Sequence, residues 1–467
     1  MENAEIETDY LIVGAGAAGL AFADEMLTCS NAHMTIVDMR HAPGGHWNDA
    51  YGFVRLHQPS AFYGVGSRDL GDCSIETTGP NAGYLSLATG AQVTGYFHSV
   101  MHERLLPSGR VKFLPMHRFN EDETVTSLLS GEAQPITVRK KIVDGAYMTN
   151  SVPKTHTRKF KVAEGVHCVP PNDLSALAAQ FERFTVLGAG KTGMDTCIWL
   201  LQNGIDQSRI RWVVPRDSWL WNRATTQPTD AFFHEVYGSF LGRQKATAEA
   251  TSPQDLARRF EACGMWMRLD PDIEPTVYRG ATITECEAEM LRSIQDTIRL
   301  GRVTEITPDE MVLVEGTIPA LNGALYIDCT AKPFEAGTAP PIPVFNGDRI
   351  TIQMIRFPQI TFSAAMIAFL EAKYESEAEK NRFTAPIEVE ETLEGFVRGQ
   401  IADFANRMNA NVDPALRKWV LESRLDGFTR MAVQVDKTDE AKVSILKELR
   451  GASMAAAMNL PKLAGLA

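Results

Sequence analysis

The sequence is poor in features that define several enzyme classes. Its seven cysteines, Cys29, Cys73, Cys168, Cys197, Cys263, Cys286 and Cys329, are scattered and never form a C-x-x-C pair. That argues against a disulfide-reductase mechanism and against a structural zinc or iron–sulfur site, both of which need clustered thiolates. No metal is expected. No apolar run approaches the roughly 20 residues of a membrane-spanning helix. The polar, acidic start, Met1 to Glu7, lacks the basic and apolar regions of a secretory signal, so a cytoplasmic protein is expected. Positive charge is also short: 46 Lys and Arg against 58 Asp and Glu leave a net charge of -12. Such a surface repels nucleic-acid phosphate instead of releasing its counterions.

What is present is the composition of a globular protein, with 44% apolar and 22% charged residues, and 467 residues suffice for two or three domains. The first readable unit is a short apolar run, residues 9–13, followed at once by Gly14-Ala15-Gly16-Ala17-Ala18-Gly19. A helix from Leu20 to about Leu27 comes next, then a second run, 34–38, that ends on Asp38. An equivalent unit starts 174 positions later with residues 184–187, Gly188-Ala189-Gly190-Lys191-Thr192-Gly193, a helix to about Asn203, and a run that ends at Pro215-Arg216. Each reads as a βαβ unit. Between them, 84–106 predicts a helix, and 109–114 and 135–143 predict strands of an antiparallel layer. Residues 228–300 show no strong strand signal and predict a helical insertion, while 312–314 and 325–329 predict strands. From about Ser363 the pattern is helical, with Phe396, Ile401, Phe404, Ala405 and Met408 on one apolar stripe.

A glycine turn between strand and helix offers backbone N–H groups and a positive helix end to a pyrophosphate. Gly14, Gly16, Ala17, Ala18 and Gly19 form one candidate cradle. Asp38 is placed to accept hydrogen bonds from a ribose diol, and Met39 and Arg40 follow it. Gly188, Gly190, Lys191, Thr192 and Gly193 form a second cradle. Arg216, at the corresponding strand end, suits a ribose 2′-phosphate, which favours NADPH over NADH. Trp212, Trp219 and Trp221, with Asn222 and Arg223, could stack on a cofactor or line a substrate pocket, although core packing is the commoner role.

Together these residues resemble the flavoproteins with two dinucleotide-binding domains, and most strongly the class B flavin monooxygenases: flavin-containing, Baeyer-Villiger and N-hydroxylating enzymes. His41-Ala42-Pro43-Gly44-Gly45-His46-Trp47 is similar to that group's paired glycines and tryptophan beside the flavin. Tyr51, Arg55, Ser60 and Tyr63 fall in an order like that of the loop near the isoalloxazine, and 325–331 resembles the strand and turn that return the chain to the FAD domain.

The resemblance implies an α/β fold: an FAD domain (1–160 and 321–400), an inserted NADPH domain (181–320, with the insertion 228–300), and a C-terminal helical region (401–467). It implies FAD and NADPH as cofactors, with Gly45, His46 and Trp47 at the flavin. It also implies a monooxygenase that oxygenates a small organic substrate with molecular oxygen through a flavin C4a-hydroperoxide. Arg55, His57 and Gln58 are candidate catalytic residues, the arginine to stabilise anionic flavin and the histidine to transfer a proton near neutral pH. A hydrogen-bonded structural loop is the plain alternative. One departure stands out, because the group's F-x-G-x-x-x-H-x-x-x-W pattern is not matched by 160–170, where Phe160, Gly165 and His167 have the wrong spacing. A reductase or dehydrogenase that inserts no oxygen, and a non-catalytic redox-sensing flavoprotein, therefore stay open.

Overall fold

The computed structural model describes residues 6–148, 151–332 and 342–466, so Met1 to Glu5 of the acidic start lie outside it. Ile6–Val13 is the centre of a parallel sheet. Met34–Asp38 and then Val111–Pro115 flank it on one side, and Ala133–Asp144 and then Arg349–Thr351 on the other. Phe345–Asn346 adds an antiparallel edge. Met34–Asp38 is buried at every position, as a strand covered on both faces must be. The helix Ala17–Cys29 packs with Ile360–Lys373, and Leu20, Phe22, Met26, Phe362 and Ile367 share one core. Every residue from Thr361 to Leu370 is buried, which fits a helix apolar all round.

A second parallel sheet centres on Arg183–Leu187, with Ile210–Val213 and Asp296–Ile298 to one side and Ala324–Asp328 and Cys168–Val169 to the other. Beside it lies a three-stranded sheet in which Ser218–Asn222 pairs with Trp266–Met267 and Val277–Ile283. The fold is α/β with two Rossmann-like units and helices at the C-terminal end. Among the described residues, no helix is long and apolar enough to cross a membrane.

Several local expectations are corrected. Val111–Pro115 and Ala133–Asp144 belong to the parallel sheet. Only His117–Phe119 and Thr124–Ser127, joined by the start of Ala133–Asp144, form the antiparallel layer. Residue periodicity reports which face is buried and not the direction of the neighbour. The helix expected from Tyr84 begins at Gly90, where Thr89 and Gln92 form a capping box. Residues 228–300 are helical in Phe233–Glu249 and Pro253–Ala262, but then contribute strands to two sheets. Ala324–Asp328 lies in the second sheet, and among the described residues the chain next joins the first at Phe345–Asn346 and Arg349–Thr351; a buried apolar run reads alike in either sheet.

The apolar stripe is also displaced. Met408 is 48% exposed, and the buried face of Leu393–Val412 carries Phe396, Gly399, Asp403, Asn406 and Ala410. Asn406 is inside because its amide bonds the Ile355 and Ala385 carbonyls at 2.9 and 2.8 Å, a polar role that apolar periodicity does not register.

Candidate dinucleotide sites and the cleft between them

The first turn is shaped by contacts that only glycine permits. Gly14 sits at φ +103°, and a Cβ on Gly19 would collide with the Gly14 carbonyl oxygen. The first turn of the helix Ala17–Cys29 has no acidic side chain, so its free N–H groups, those of Ala17 and Ala18 among them, are unopposed for an anion. Asp38 is buried and holds the turn from below: Oδ2 accepts Ala15 N–H at 2.6 Å and Oδ1 accepts Arg40 N–H at 2.7 Å. Each oxygen keeps one further lone pair for a hydroxyl. Met39 is 58% exposed, and Arg40 is engaged with Asp49 at 2.7 Å.

The Gly44-Gly45 segment closes on this turn. Gly44 N–H donates to the Ala15 carbonyl at 2.8 Å, and a Cβ on Gly45 would lie 2.9 Å from the Gly16 Cα. The His46 and Trp47 rings stack with centroids 5.4 Å apart, and Trp47 Nε1 donates to the Tyr63 hydroxyl at 2.9 Å. Burial, helped by the Arg40 charge, pushes the His46 pKa down to about 4.

The second turn repeats the first. Gly188 is at φ +112°, Gly193 could carry no Cβ without striking the Gly188 carbonyl, and Trp212 Nε1 donates to that same carbonyl at 2.9 Å. Gly190 caps the helix Lys191–Gln202. Lys191 turns sideways to pair with Asp195, and lies 4.0 Å from Glu287. Thr192 lies beside the Tyr51 hydroxyl. Arg216 is bound to Glu391 at 2.6 Å, with Arg279 3.8 Å from the same carboxylate. Burial alone would raise Glu391, but the charges of Arg279, Arg216 and Lys332 outweigh it and hold its pKa below the ordinary value.

The two units meet along residues 49–57. Tyr51 donates to Asp195 at 2.8 Å, Phe53 stacks on Trp199 at 4.9 Å, and Asn172 donates to the Asp49 carbonyl at 3.1 Å. Next to this seam lies a polar cluster of which the sequence reading named only Arg223. Arg223, 1% exposed, pairs with Glu287 at 2.7 Å and donates to Asn81 and to the Thr282 carbonyl. Asp195 had one signal, its place four residues after Lys191 on the turn helix; Glu287 and Asn81 had none. Trp219 is core, stacked with Trp266 at 5.9 Å.

Of the loop residues, Arg55 is fully engaged. It forms an ion pair with Glu76 and donates twice to the Leu87 carbonyl. Gln58 reaches the Phe62 carbonyl at 3.4 Å, and Ser60 Oγ donates to the Ser86 carbonyl at 2.9 Å. His57 is exposed, with Lys191, Arg223 and Glu287 as its charged neighbours. Partial desolvation, then the Lys191 and Arg223 charges, push its pKa below the ordinary value, so it is neutral near pH 7. His167 packs edge-on against Phe181.

Residues 12–60 match the family model for an NAD(P)-binding Rossmann-like domain, a stretch that contains the first glycine turn and Asp38. The polycyclic ketone monooxygenase of Thermothelomyces thermophila superposes with a TM-score of 0.49 at 11% identity, covering 99% of this chain and 88% of that one. A flavin-containing monooxygenase from Stenotrophomonas maltophilia gives 0.46 at 10% identity, covering 79% and 98%. In sequence, the chain is similar to the uncharacterized protein Rv2000 of Mycobacterium tuberculosis, 44% identical over 424 residues, which are 90% of this chain and 78% of that protein. With identity of that extent along most of both proteins, the chain belongs to the same family as Rv2000.

Proposed function

We propose that this chain is an FAD-dependent oxidoreductase reduced by NADPH, and that it oxygenates a small organic substrate. The observation that carries this reading is the seam itself: the Tyr51–Asp195 hydrogen bond ties the loop beyond the first glycine turn to the helix opened by the second. Two dinucleotides held on those turns would meet in one cleft.

The residues fit both groups. The cradle that a Cβ on Gly19 would fill, and the Gly45 approach to Gly16, leave backbone where a pyrophosphate needs it. The Ala17 and Ala18 N–H groups would hold the FAD phosphates and Asp38 its ribose, with His46, Trp47 and Tyr63 on the flavin side. The second turn would hold the NADPH pyrophosphate, and Arg216 and Arg279, now at Glu391, would hold the 2′-phosphate. Bound together, the two cofactors supply hydride transfer and two-electron chemistry with oxygen or an organic acceptor. His57, neutral near pH 7, offers one donor and one acceptor beside Lys191, Arg223 and Glu287 and is not a cationic acid there.

A second reading, a reductase without oxygen insertion, is favoured by Arg55, whose charge is neutralised by Glu76 and is not free for an anionic flavin. The test is sequential. The purified protein should show bound flavin bleached anaerobically by NADPH faster than by NADH; no flavin band ends the proposal. With oxygen-18 gas, label appearing in the organic product supports oxygenation. Complete recovery of electrons in peroxide or in an added quinone favours the reductase.

A further inference from the structure

A second charged cluster lies apart from the glycine turns, where Phe233–Glu249, Val277–Ile283 and Leu393–Val412 converge on residues 355–357. It contains three guanidiniums, Arg243, Arg356 and Arg407, and two carboxylates, Asp403 and Asp426. The carboxylates are fully committed. Asp403 takes Arg407 at 2.7 Å on one oxygen and the Phe357 N–H at 3.1 Å on the other. Asp426 takes Arg356 at 2.9 Å, the Thr429 N–H at 3.0 Å and its hydroxyl at 2.7 Å. Among the described residues none hydrogen-bonds or ion-pairs with the Arg243 side chain.

Arg243 is only partly open to solvent, and burial is the largest influence on it, lowering its pKa. Among the described residues the buried Tyr278 hydroxyl has no hydrogen-bond partner, and Arg243 is the charged group that influences it. Three cations against two anions leave one positive charge without a protein partner beside an orphaned donor, and Arg243 and the 38% exposed Arg407 side chain keep the cluster open to a ligand. The aromatic wall is beside it: Tyr278 lies 6.3 Å from Phe357 and 4.7 Å from Phe396, and Trp221 lies 6.4 Å from Phe357. Trp221 and Phe357 are only partly buried. Phe357 follows Arg349–Thr351, which runs parallel to Ala133–Asp144 and, through it, to Ile6–Val13, so the cluster is approached from the sheet edge that carries the Gly14 turn.

We propose that this cluster receives the substrate, and that the substrate is an organic monocarboxylate whose anion is held by Arg243 and the Tyr278 hydroxyl while Trp221 and Phe357 take its apolar body. The excess of one charge suits a carboxylate; a phosphate dianion would overcompensate it. This rests on the oxidoreductase reading for the word substrate, but the binding chemistry is tested apart from it.

The experiment is calorimetric titration of the flavin-loaded protein with phenylacetate and hexanoate, each beside its amide. Each acid is expected to bind about tenfold or more tightly than its amide. Arg243→Gln should erase that preference, and Tyr278→Phe should weaken the acids several-fold. Equal binding of acid and amide, no binding of either acid, or a preference that survives Arg243→Gln overturns the proposal. If Arg243→Gln does not fold, unchanged acid affinity in Tyr278→Phe overturns it instead. Flavin content and anaerobic bleaching by NADPH are recorded on the same wild-type sample. Acid preference without them sinks the redox reading alone, and their presence without acid preference sinks the carboxylate site alone.

Discussion

The Tyr51 hydroxyl, on the loop beyond the first glycine turn, donates a 2.8 Å hydrogen bond to Asp195 on the helix of the second. Asp195 is also the partner of Lys191, so one carboxylate sets both the seam and the lysine beside the second turn. Tyr51→Phe removes a part-buried hydrogen bond to a carboxylate, a loss of about 1.5–3 kcal/mol at most. The expected result is a lower thermal midpoint together with slower flavin bleaching by NADPH. Stopped-flow measurement on the variant checks it, and an unchanged bleaching rate would show that the seam does not align the two sites.

Arg216 and Glu391 make a different kind of pair, because the arginine expected to read the 2′-phosphate is already bound at 2.6 Å. NADPH must displace Glu391 or share its cations. Glu391→Gln should therefore tighten NADPH by about tenfold and leave NADH nearly unchanged, since only one cofactor carries the phosphate. The pH dependence has a definite sign. The Glu391 pKa is depressed in the folded chain, so the ion pair is intact above the ordinary glutamate range and is lost as pH falls through the depressed value. Equal gains for both cofactors in fluorescence titrations would defeat this account.

His46 gives a prediction about acid stability. Its folded pKa is about 4, whereas an unfolded histidine takes a proton near 6.5. Between those values the unfolded chain binds more protons, so stability falls as pH drops from about 6.5 towards 4. His46→Asn removes this contribution, with Arg40 and Asp49 still facing the site. Thermal midpoints between pH 7 and 5 should decline less steeply in the variant than in the wild type; parallel slopes would assign the acid sensitivity elsewhere.

The glycine turns were legible because their requirement is local: a positive φ and a close backbone approach demand a residue type that the sequence prints. The same holds for Asp38 and the Gly44-Gly45 pair. The cleft was not legible in that way. Glu287 and Arg223 are 64 positions apart and meet because the strands that precede them, Val277–Ile283 and Ser218–Asn222, pair in one sheet, and Glu391 reaches Arg216 from 175 positions away. Neither pairing leaves a spacing to read. The loop 55–58 was found but its purpose was not, because Glu76 lies 21 residues beyond Arg55 in a segment without periodic structure. Asp403 and Asn406 hid the buried face of Leu393–Val412 for a related reason, since polar residues that are satisfied inside look like solvent-facing ones.

The two turns are nearly identical in shape, and that makes their assignments separable by one substitution in each. A Cβ on Gly19 strikes the Gly14 carbonyl oxygen and comes within 3.3 Å of Ile12 Cγ2. A Cβ on Gly193 strikes the Gly188 carbonyl and lies 3.5 Å from Trp212 Nε1. In each case the helix must move off its turn, and the N–H groups that would hold a pyrophosphate move with it. Gly19→Ala should therefore purify without flavin. Gly193→Ala should keep its flavin colour and lose anaerobic bleaching by NADPH, while dithionite still reduces it. The absorption spectrum after gel filtration reads the first outcome and the anaerobic titration the second. Exchange of the two phenotypes would place FAD on the second turn, and loss of flavin in both would mean that the helix Lys191–Gln202 supports the first site through Asp195 and Tyr51.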